Sequence, residues 1–474
     1  MVYDYDLMVL GAGSAGLTAA KLARSMGKTV VLIEKNKLGG TCTLDGCIPS
    51  KTLVNSALMT AAIKNCDQIG LQIDKNTLNT HNVLKHVRTI INEIYEQDTP
   101  ELLEKAGIQV IIGNPHFENN HHIVVNNQTI SANRIIIATG ARPCIPGING
   151  LDSVEYLTYE NIFNLEKLPQ SIIILGGGPI GMEMACALNN LGVRVTVVEK
   201  NAHILSHDDQ EITHLLLKHS QKKGIIFQLE SKATHVRKEH NQITVTCSDA
   251  HNNTFELSAE SLLIALGRTA NVEELGLEHA GVKFNTKGII TNNTLQTTAK
   301  NIYACGDVVG PYQFSHVAGR QAIIATHNAF ISFFKKKFDD HDITWVTFTD
   351  PTLATAGLTE EQAHARYGTL LDIYTVNYTD MDRAYTDNVR FGTVKIICKK
   401  NGEVVGASIL GERAGELLHE IQLGKYFKIP FYRWYEVLHA YPTYSDLIRA
   451  AAKKAYVEHV QKNFWIKFLH KLKK

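Results

Sequence analysis

The chain has 474 residues, 44% of them hydrophobic and 20% charged, with a formal net charge of +1. That length is too great for one core and implies about three domains of ordinary size. The even charge argues against bulk nucleic-acid binding, since no basic excess exists to neutralise phosphates, and no apolar run reaches transmembrane length.

Tyr5 to Leu10 reads as a buried strand that runs into Gly11-Ala-Gly-Ser-Ala-Gly16, then a helical stretch, then a second strand from Thr29 to Glu34. This is a βαβ dinucleotide unit. Gly11, Gly13 and Gly16 permit the tight turn and a close approach to pyrophosphate at a helix N-terminus, and Glu34 can accept from a ribose hydroxyl. A lone glycine motif of this kind is weak; the strand before it, the helix after it and the acid at the correct distance make it strong.

Gly39-Gly-Thr-Cys-Thr-Leu-Asp-Gly-Cys-Ile-Pro-Ser-Lys51 follows directly and sets Cys42 and Cys47 five positions apart. They are expected to form a redox-active disulfide. On a regular helix their Cα atoms would stand ~8 Å apart, out of disulfide reach, so the turn between them must be distorted. Gly46 supplies a permissive backbone, and Pro49 suits the first turn of a following helix. That helix N-terminus, with Lys51 beside it, favours a thiolate. Cys66, Cys144, Cys186, Cys247, Cys305 and Cys398 show no framework or metal-ligand spacing, and no signal peptide precedes the first strand. A reducing cytoplasm is expected, where a disulfide is catalytic rather than structural.

His116 to Ile130 reads as a polar hairpin with the His121-His122 pair in a solvated loop, and no metal site is expected. Ile135 to Gly140, which ends on Thr139 and Gly140, is a short apolar strand. The βαβ unit then returns: Ser171 to Leu175, the loop containing Gly176, Gly178 and Gly181, a helix, and Val193 to Glu199. The acid follows the last glycine by the same interval in both copies, so two dinucleotides are bound. The one that exchanges electrons with the disulfide must be held beside it, so a flavin, FAD, belongs to the first site, with Gly40 and Thr41, and the nicotinamide to the second. Glu199 opposes a 2′-phosphate and points to NADH over NADPH, with Lys200 next to it.

Leu262 to Arg268, containing Gly267, and Asn301 to Asp307 read as strands returning to the nucleotide domains. Lys335 to Lys337 reads as a solvated helix end. From Trp345 the texture changes to strands such as Gly392 to Cys398 and Val404 to Leu410 alternating with long helices. The expected fold is α/β: two Rossmann-like domains, 1–150 with 271–340 for FAD and 151–270 for NAD(H), and a C-terminal α+β dimerisation domain, 341–474.

The ordered motifs GAGSAG, GGTCTLDGCIPSK, IIIATGARP, GGGPIGME, ALGRTAN, IYACGD and FTDPTLATAGLTEEQA resemble the pyridine nucleotide-disulfide oxidoreductases of the dihydrolipoamide dehydrogenase, glutathione reductase and mercuric reductase group. The likeness covers nearly the whole chain. It implies a homodimer in which each subunit binds FAD and a nicotinamide and the last domain forms the interface. It further implies that Cys47 is the flavin-side charge-transfer thiol, Cys42 the interchange thiol, Lys51 the cation near flavin N5 paired with Glu183, and Asp307 the holder of the ribityl chain.

Members acting on disulfides carry a His-Pro-Thr segment with a glutamate five residues after the histidine, donated across the dimer as acid/base. This chain reads His439-Ala-Tyr-Pro-Thr-Tyr-Ser-Asp446, with Tyr441 at the histidine position and Asp446 at the glutamate position. A phenol with an ordinary pKa near ~10 does not shuttle protons to a dithiol at neutral pH as imidazole does. His439, two positions upstream, is expected to point elsewhere. Mercuric reductases resemble this chain in having a tyrosine there, and a soft ion suits two thiolates. They also carry a cysteine pair near the C-terminus, whereas no cysteine follows Cys398 here. Leu44 and Ala270 stand where asparagine and proline are usual.

In Gln461 to Lys474, Phe464, Trp465, Phe468, Leu469 and Leu472 share one helical face beside five lysines. Such a basic amphipathic helix suits either the dimer, which is favoured, or peripheral contact with an anionic membrane. The leading expectation is an FAD enzyme passing electrons from NADH through Cys42-Cys47 to an acceptor that needs no histidine base: a thiophilic metal ion, a quinone-like compound or an unusual disulfide. A dihydrolipoamide dehydrogenase is the second reading, and a flavin redox sensor without turnover the third.

Overall fold

The protein is described from a computed structural model covering residues 2–74, 78–331, 333–340 and 343–462. Leu7 to Leu10 are fully buried because the strand Tyr5–Leu10 is central in a parallel sheet covered on both faces. Across that sheet the order is Ile108–Ile112, Val30–Glu34, Tyr5–Leu10, Gln128–Ile137, and the late strand Ile302–Ala304 pairs in parallel with the end of Gln128–Ile137. The helix Ser14–Ser25 turns its alanine-rich face to this sheet and to the helix Ser315–Phe330. The hairpin expected over His116 to Ile130 is antiparallel and joins the same sheet through Gln128–Ile137. Its histidines are not free in solvent: His121 Nδ1 bonds the Ala132 carbonyl at 2.8 Å and its ring stacks on Tyr3, while His122 bonds Asn119.

A second parallel sheet runs Ile226–Gln228, Arg194–Val198, Ser171–Leu175, Ser261–Ile264, with an antiparallel three-strand sheet of Lys232–Glu239, Gln242–Ser248 and Thr254–Ala259 beside it. Arg268–Ala270 pairs antiparallel with Ala141–Pro143, so the chain leaves the first layer and returns to it along one ladder. The last unit is an antiparallel sheet in the order Thr344–Thr347, Leu353–Gly357, Val404–Leu410, Thr393–Lys399, Leu371–Asn377. Its inner strands are buried almost throughout because helices Ala414–Tyr426 and Asp446–Lys462 cover one face and the helix Glu360–Tyr367 packs on the other. The helix expected over Gln461 to Lys474 lies, beyond Lys462, outside the described residues. Lys335 to Lys337 is not a helix end: the helix stops at Phe330 and the lysines lie in irregular chain beyond it. No helix among the described residues is long and apolar enough to cross a membrane.

A buried cation fastens the last unit to the second nucleotide domain. Lys395 is 3% exposed and bonds Asp209 Oδ1 at 3.0 Å, Glu211 Oε2 at 2.8 Å and the Glu360 carboxylate. Burial pulls its pKa down, but the three carboxylates outweigh burial and hold it above the ordinary lysine value. Next to it Asp208 accepts from Trp345 Nε1 at 2.8 Å and Thr355 Oγ1 at 2.6 Å. Lys395→Met leaves buried Asp209 without its cation and is expected to cost about 3 kcal/mol or more, read as a fall in thermal midpoint. An unchanged midpoint would remove Lys395 as a fastening between domains.

Candidate active site

Gly40–Leu44 makes one short helical turn, Asp45 and Gly46 leave helical geometry, and Cys47 opens the helix Cys47–Lys64. This break is the distortion that the five-residue spacing requires. A Cβ on Gly46 would stand 2.8 Å from the Thr41 carbonyl oxygen, so the residue is glycine for closeness of approach; its φ of −119° needs no special freedom. Pro49 falls in the first turn of the new helix, where no donor is missed.

Cys42 and Cys47 are free thiols close enough to interact through a hydrogen bond, whose effect on the two is opposite. Through that bond, against the effect of burial, and with help from the hydroxyls of Ser315 and Ser14 and the charge of Lys51, the Cys42 pKa is lowered to about 6. Cys47 is pushed up by the same hydrogen bond and by burial, so the pair holds one proton and one negative charge at neutral pH. Ser315, the first residue of the helix Ser315–Phe330, sets its Oγ 3.3 Å from Cys47 Sγ. One helical turn beyond Cys47, Lys51 Nζ bonds both oxygens of buried Glu183, at 3.0 and 2.8 Å, and lies 4.6 Å from the centre of the Phe348 ring. Glu183 Oε1 also accepts from Phe348 N at 2.9 Å.

These groups open on a cleft of about 2300 Å³. Pockets for a single small ligand run to roughly 300–1,000 Å³, so the space suits two large ligands better than one small one. Gly11, Gly13, Glu34, Gly40, Thr41, Cys42, Cys47, Lys51, Thr139, Gly140 and Asp307 line it, together with Gly176, Gly178, Glu183, Glu199 and Gly267. Gly16 and Gly181 lie beneath it, and a Cβ there would meet the carbonyl oxygens of Gly11 and Gly176 at 1.8 and 2.0 Å. The residues fit dinucleotides: the helices Ser14–Ser25 and Pro179–Asn190 begin at Gly13 and Gly178 with no capping side chain, leaving N–H groups for phosphate. Gly40 passes so near Gly13 that a Cβ on it would stand 2.6 Å from Gly13 Cα, so no side chain fills that cradle.

The two acids behave alike. Glu34 accepts from Ala12 N at 2.7 Å and Asn36 N at 3.0 Å; Glu199 accepts from Gly177 N at 2.6 Å and from Asn201 N and Nδ2 at 2.8 and 2.7 Å. Asp307 is paired with Arg268, which also bonds the Tyr159 hydroxyl and the Ala141 carbonyl, each at 3.3 Å.

Tyr441 and Asp446 do not line this cleft. Tyr441 is 72% exposed, and its hydroxyl donates to Asp382 Oδ2 at 2.6 Å, which raises the phenol pKa. Asp446 opens the last helix and accepts from Thr443 N at 3.3 Å. His439 points into its own subunit, Nε2 on Glu420 Oε1 at 2.8 Å and Nδ1 on the Val437 carbonyl at 2.9 Å. Burial lowers its pKa, but the Glu420 hydrogen bond prevails and raises it.

Sequence reasoning missed Ser14 and Ser315 beside the sulfurs, Phe348 beneath Lys51, and Arg268 on Asp307. Arg268 and Ser14 stand inside the motifs ALGRTAN and GAGSAG and could have been found there; Ser315 has no spacing that marks it. It also missed His316 and His419, which line the cleft; His316 Nε2 bonds the Thr344 carbonyl at 2.8 Å, and burial lowers its pKa.

Two family models match this chain: pyridine nucleotide-disulphide oxidoreductase over residues 5–322, and the dimerisation domain of the same name over residues 343–452, which supports a homodimer. A mercuric reductase of Staphylococcus aureus is 31% identical over 95% of this chain and 82% of its own length. A dihydrolipoyl dehydrogenase of Bacillus subtilis (strain 168) is 32% identical over 96% and 98%. Among solved structures, a Cu(II) complex of the HOCl-induced flavoprotein disulfide reductase RclA from Escherichia coli matches with a TM-score of 0.85 at 27% identity, covering 95% of this chain and 99% of that one.

The sulfur geometry predicts that the reduced protein alkylates with iodoacetamide at a rate level near neutrality and falling as pH drops through about 6. An ordinary cysteine would fall through ~8.5. Ser315→Ala should move the inflection upward; an unaltered protein with the ordinary inflection would refute the shared-proton arrangement.

Proposed function

The chain belongs to the pyridine nucleotide-disulphide oxidoreductase family, flavoproteins that use FAD and NAD(P)H, and from that premise we propose that it passes electrons from NADH to the Cys42–Cys47 pair and on to a thiophilic metal ion such as Hg(II) or Cu(II). The observation that carries the choice of acceptor is the state of the groups that would move protons. Tyr441 is held as a neutral phenol by Asp382, and both ring nitrogens of His439 are engaged within its own subunit. A disulfide acceptor requires a proton for each departing sulfur and a base to recover it. A soft ion requires only two thiolates, and Cys42 already favours that form. The similarity to mercuric reductases and to a flavoprotein disulfide reductase solved with Cu(II) supports the same class.

In this reading Gly11, Gly13 and Gly40 form the pyrophosphate cradle of FAD, Glu34 takes a ribose hydroxyl, and Asp307, set by Arg268, meets the sugar chain. FAD supplies the two-electron transfer between nicotinamide and sulfur. Cys47 is the thiol on the flavin side and Cys42 the one offered to the acceptor; two electrons open the S–S bond, and one proton stays between the sulfurs. Lys51, fixed by Glu183, keeps a positive charge beside them. Gly176, Gly178 and Gly181 shape the nicotinamide loop with Gly267 at its edge. Glu199 puts a fixed negative charge at that ribose site, which disfavours a 2′-phosphate. The two electrons of NADH reduce one Hg(II), or two Cu(II) by one electron each.

A dihydrolipoyl dehydrogenase is the second reading, favoured by the His439–Glu420 couple, a histidine with a carboxylate partner. The two separate in one assay series with NADH. Hg(II) reduction is expected to be lost in Cys42→Ser and retained in Tyr441→His. Lipoamide turnover is expected to be slow and to rise on the order of 100-fold in Tyr441→His. Fast lipoamide turnover that ignores Tyr441→His would establish the second reading. For the nucleotide, kcat/KM should favour NADH over NADPH and the gap should narrow in Glu199→Ala; equal values in the unaltered protein would overturn the preference.

A further inference from the structure

Past the helix Ser315–Phe330 the chain forms an arm with a fixed base and a bare tip. Asn328, 2% exposed, holds the base: its Oδ1 accepts from Lys336 N at 2.8 Å, and its Nδ2 donates to the carbonyls of Lys336 and Thr294 at 2.7 and 3.0 Å. Phe338 N donates to the Asn293 carbonyl at 2.8 Å, and its ring packs on the core of the first nucleotide domain. Outside this clamp Phe333 and Phe334 are 91% and 81% exposed, the largest exposures of any phenylalanine in the described chain. Lys335, Lys336 and Lys337 follow at once, all exposed. Gln296 bonds Lys335 Nζ at 3.3 Å and the Lys300 carbonyl at 2.7 Å, which sets a fourth exposed lysine on the neighbouring turn. The acids that follow, Asp339 and Asp340, lie on the other side of buried-facing Phe338, and Asp340 belongs to the cleft lining.

Bare aromatic rings need an apolar phase, and a lysine run needs anions. The face of a bilayer carrying anionic lipid offers both within a few ångströms of each other. A second copy of the chain fits less well, because a two-fold contact centred on the arm would bring the two lysine runs together. We propose that the 333–337 arm docks the protein on an anionic lipid surface, with Phe333 and Phe334 entering the headgroup region and the lysines meeting lipid phosphates. This surface is separate from the cysteine site and does not depend on which acceptor is reduced there.

The test is co-sedimentation of the full-length holoprotein with vesicles of phosphatidylcholine, with and without phosphatidylglycerol. Binding is expected only to the anionic vesicles and to weaken with salt. Phe333→Ser/Phe334→Ser and, separately, Lys335→Gln/Lys336→Gln/Lys337→Gln are each expected to lower partitioning on the order of 10-fold, while NADH-dependent dye reduction stays unchanged as a check on folding. Trp465→Ser/Phe468→Ser in the tail is expected to leave the arm-dependent part of binding in place. The proposal is overturned if the unaltered protein ignores anionic vesicles, if the arm variants bind as the unaltered protein does, or if the tail variant alone abolishes binding. It is equally overturned if the arm variants change the oligomeric mass in place of lipid binding.

Discussion

Everything at the sulfur site depends on one ion pair. Glu183 comes from the second nucleotide domain, Lys51 from the helix that opens at Cys47, and the third partner, Phe348 N, from the turn after the first strand of the last domain. Three parts of the chain, far apart in sequence, therefore meet at one carboxylate. A buried carboxylate is costly unless its lone pairs are met, and here two oxygens are shared among an ammonium and a backbone donor. Lys51 is 36% exposed, so the pair contributes less to stability than a dry one would. Its larger effect is geometric: it ties the helix that opens at Cys47 to the second nucleotide domain.

That geometry extends outward in two directions. Toward the sulfurs, Ser14 and Ser315 bring hydroxyls from the first residues of two helices, so the charge of the pair is met by short, neutral donors. Toward the nicotinamide side, the segment after Glu199 runs to Asp208 and Asp209, and both are buried against the last domain. Glu199 and the dimerisation unit are thus joined by a short run of chain pinned at both ends. Rigid coupling of this kind suits a site assembled from several domains, because an error of an ångström between donor and acceptor of electrons would be felt directly.

The acid/base question turns on neighbours rather than on residue type. Tyr441 would be a poor proton carrier anywhere near neutrality, and Asp382 makes it poorer by holding its hydrogen. His439 has the right chemistry but two satisfied nitrogens, which is how a histidine becomes part of the scaffold. Cys42 works in the other direction, since a thiol whose pKa is lowered needs less help from a base to become nucleophilic.

The nucleotide units, the paired cysteines and the change of texture near Trp345 were legible in the sequence because each rests on local pattern: glycines at fixed spacing, a strand before and a helix after, an acid at a constant interval. Even the broken turn at Gly46 followed from arithmetic on helix geometry. Other features were decided only by tertiary structure. Ser315 reaches Cys47 across 268 positions, Arg268 is brought to Asp307 by two ladders, its own strand on Ala141–Pro143 and Ile302–Ala304 on Gln128–Ile137, and Lys335 to Lys337 leave the helix because Asn328 captures the chain from behind. Hydrogen bonds between distant segments leave no period in a sequence, so their partners emerge only when packing brings the segments together.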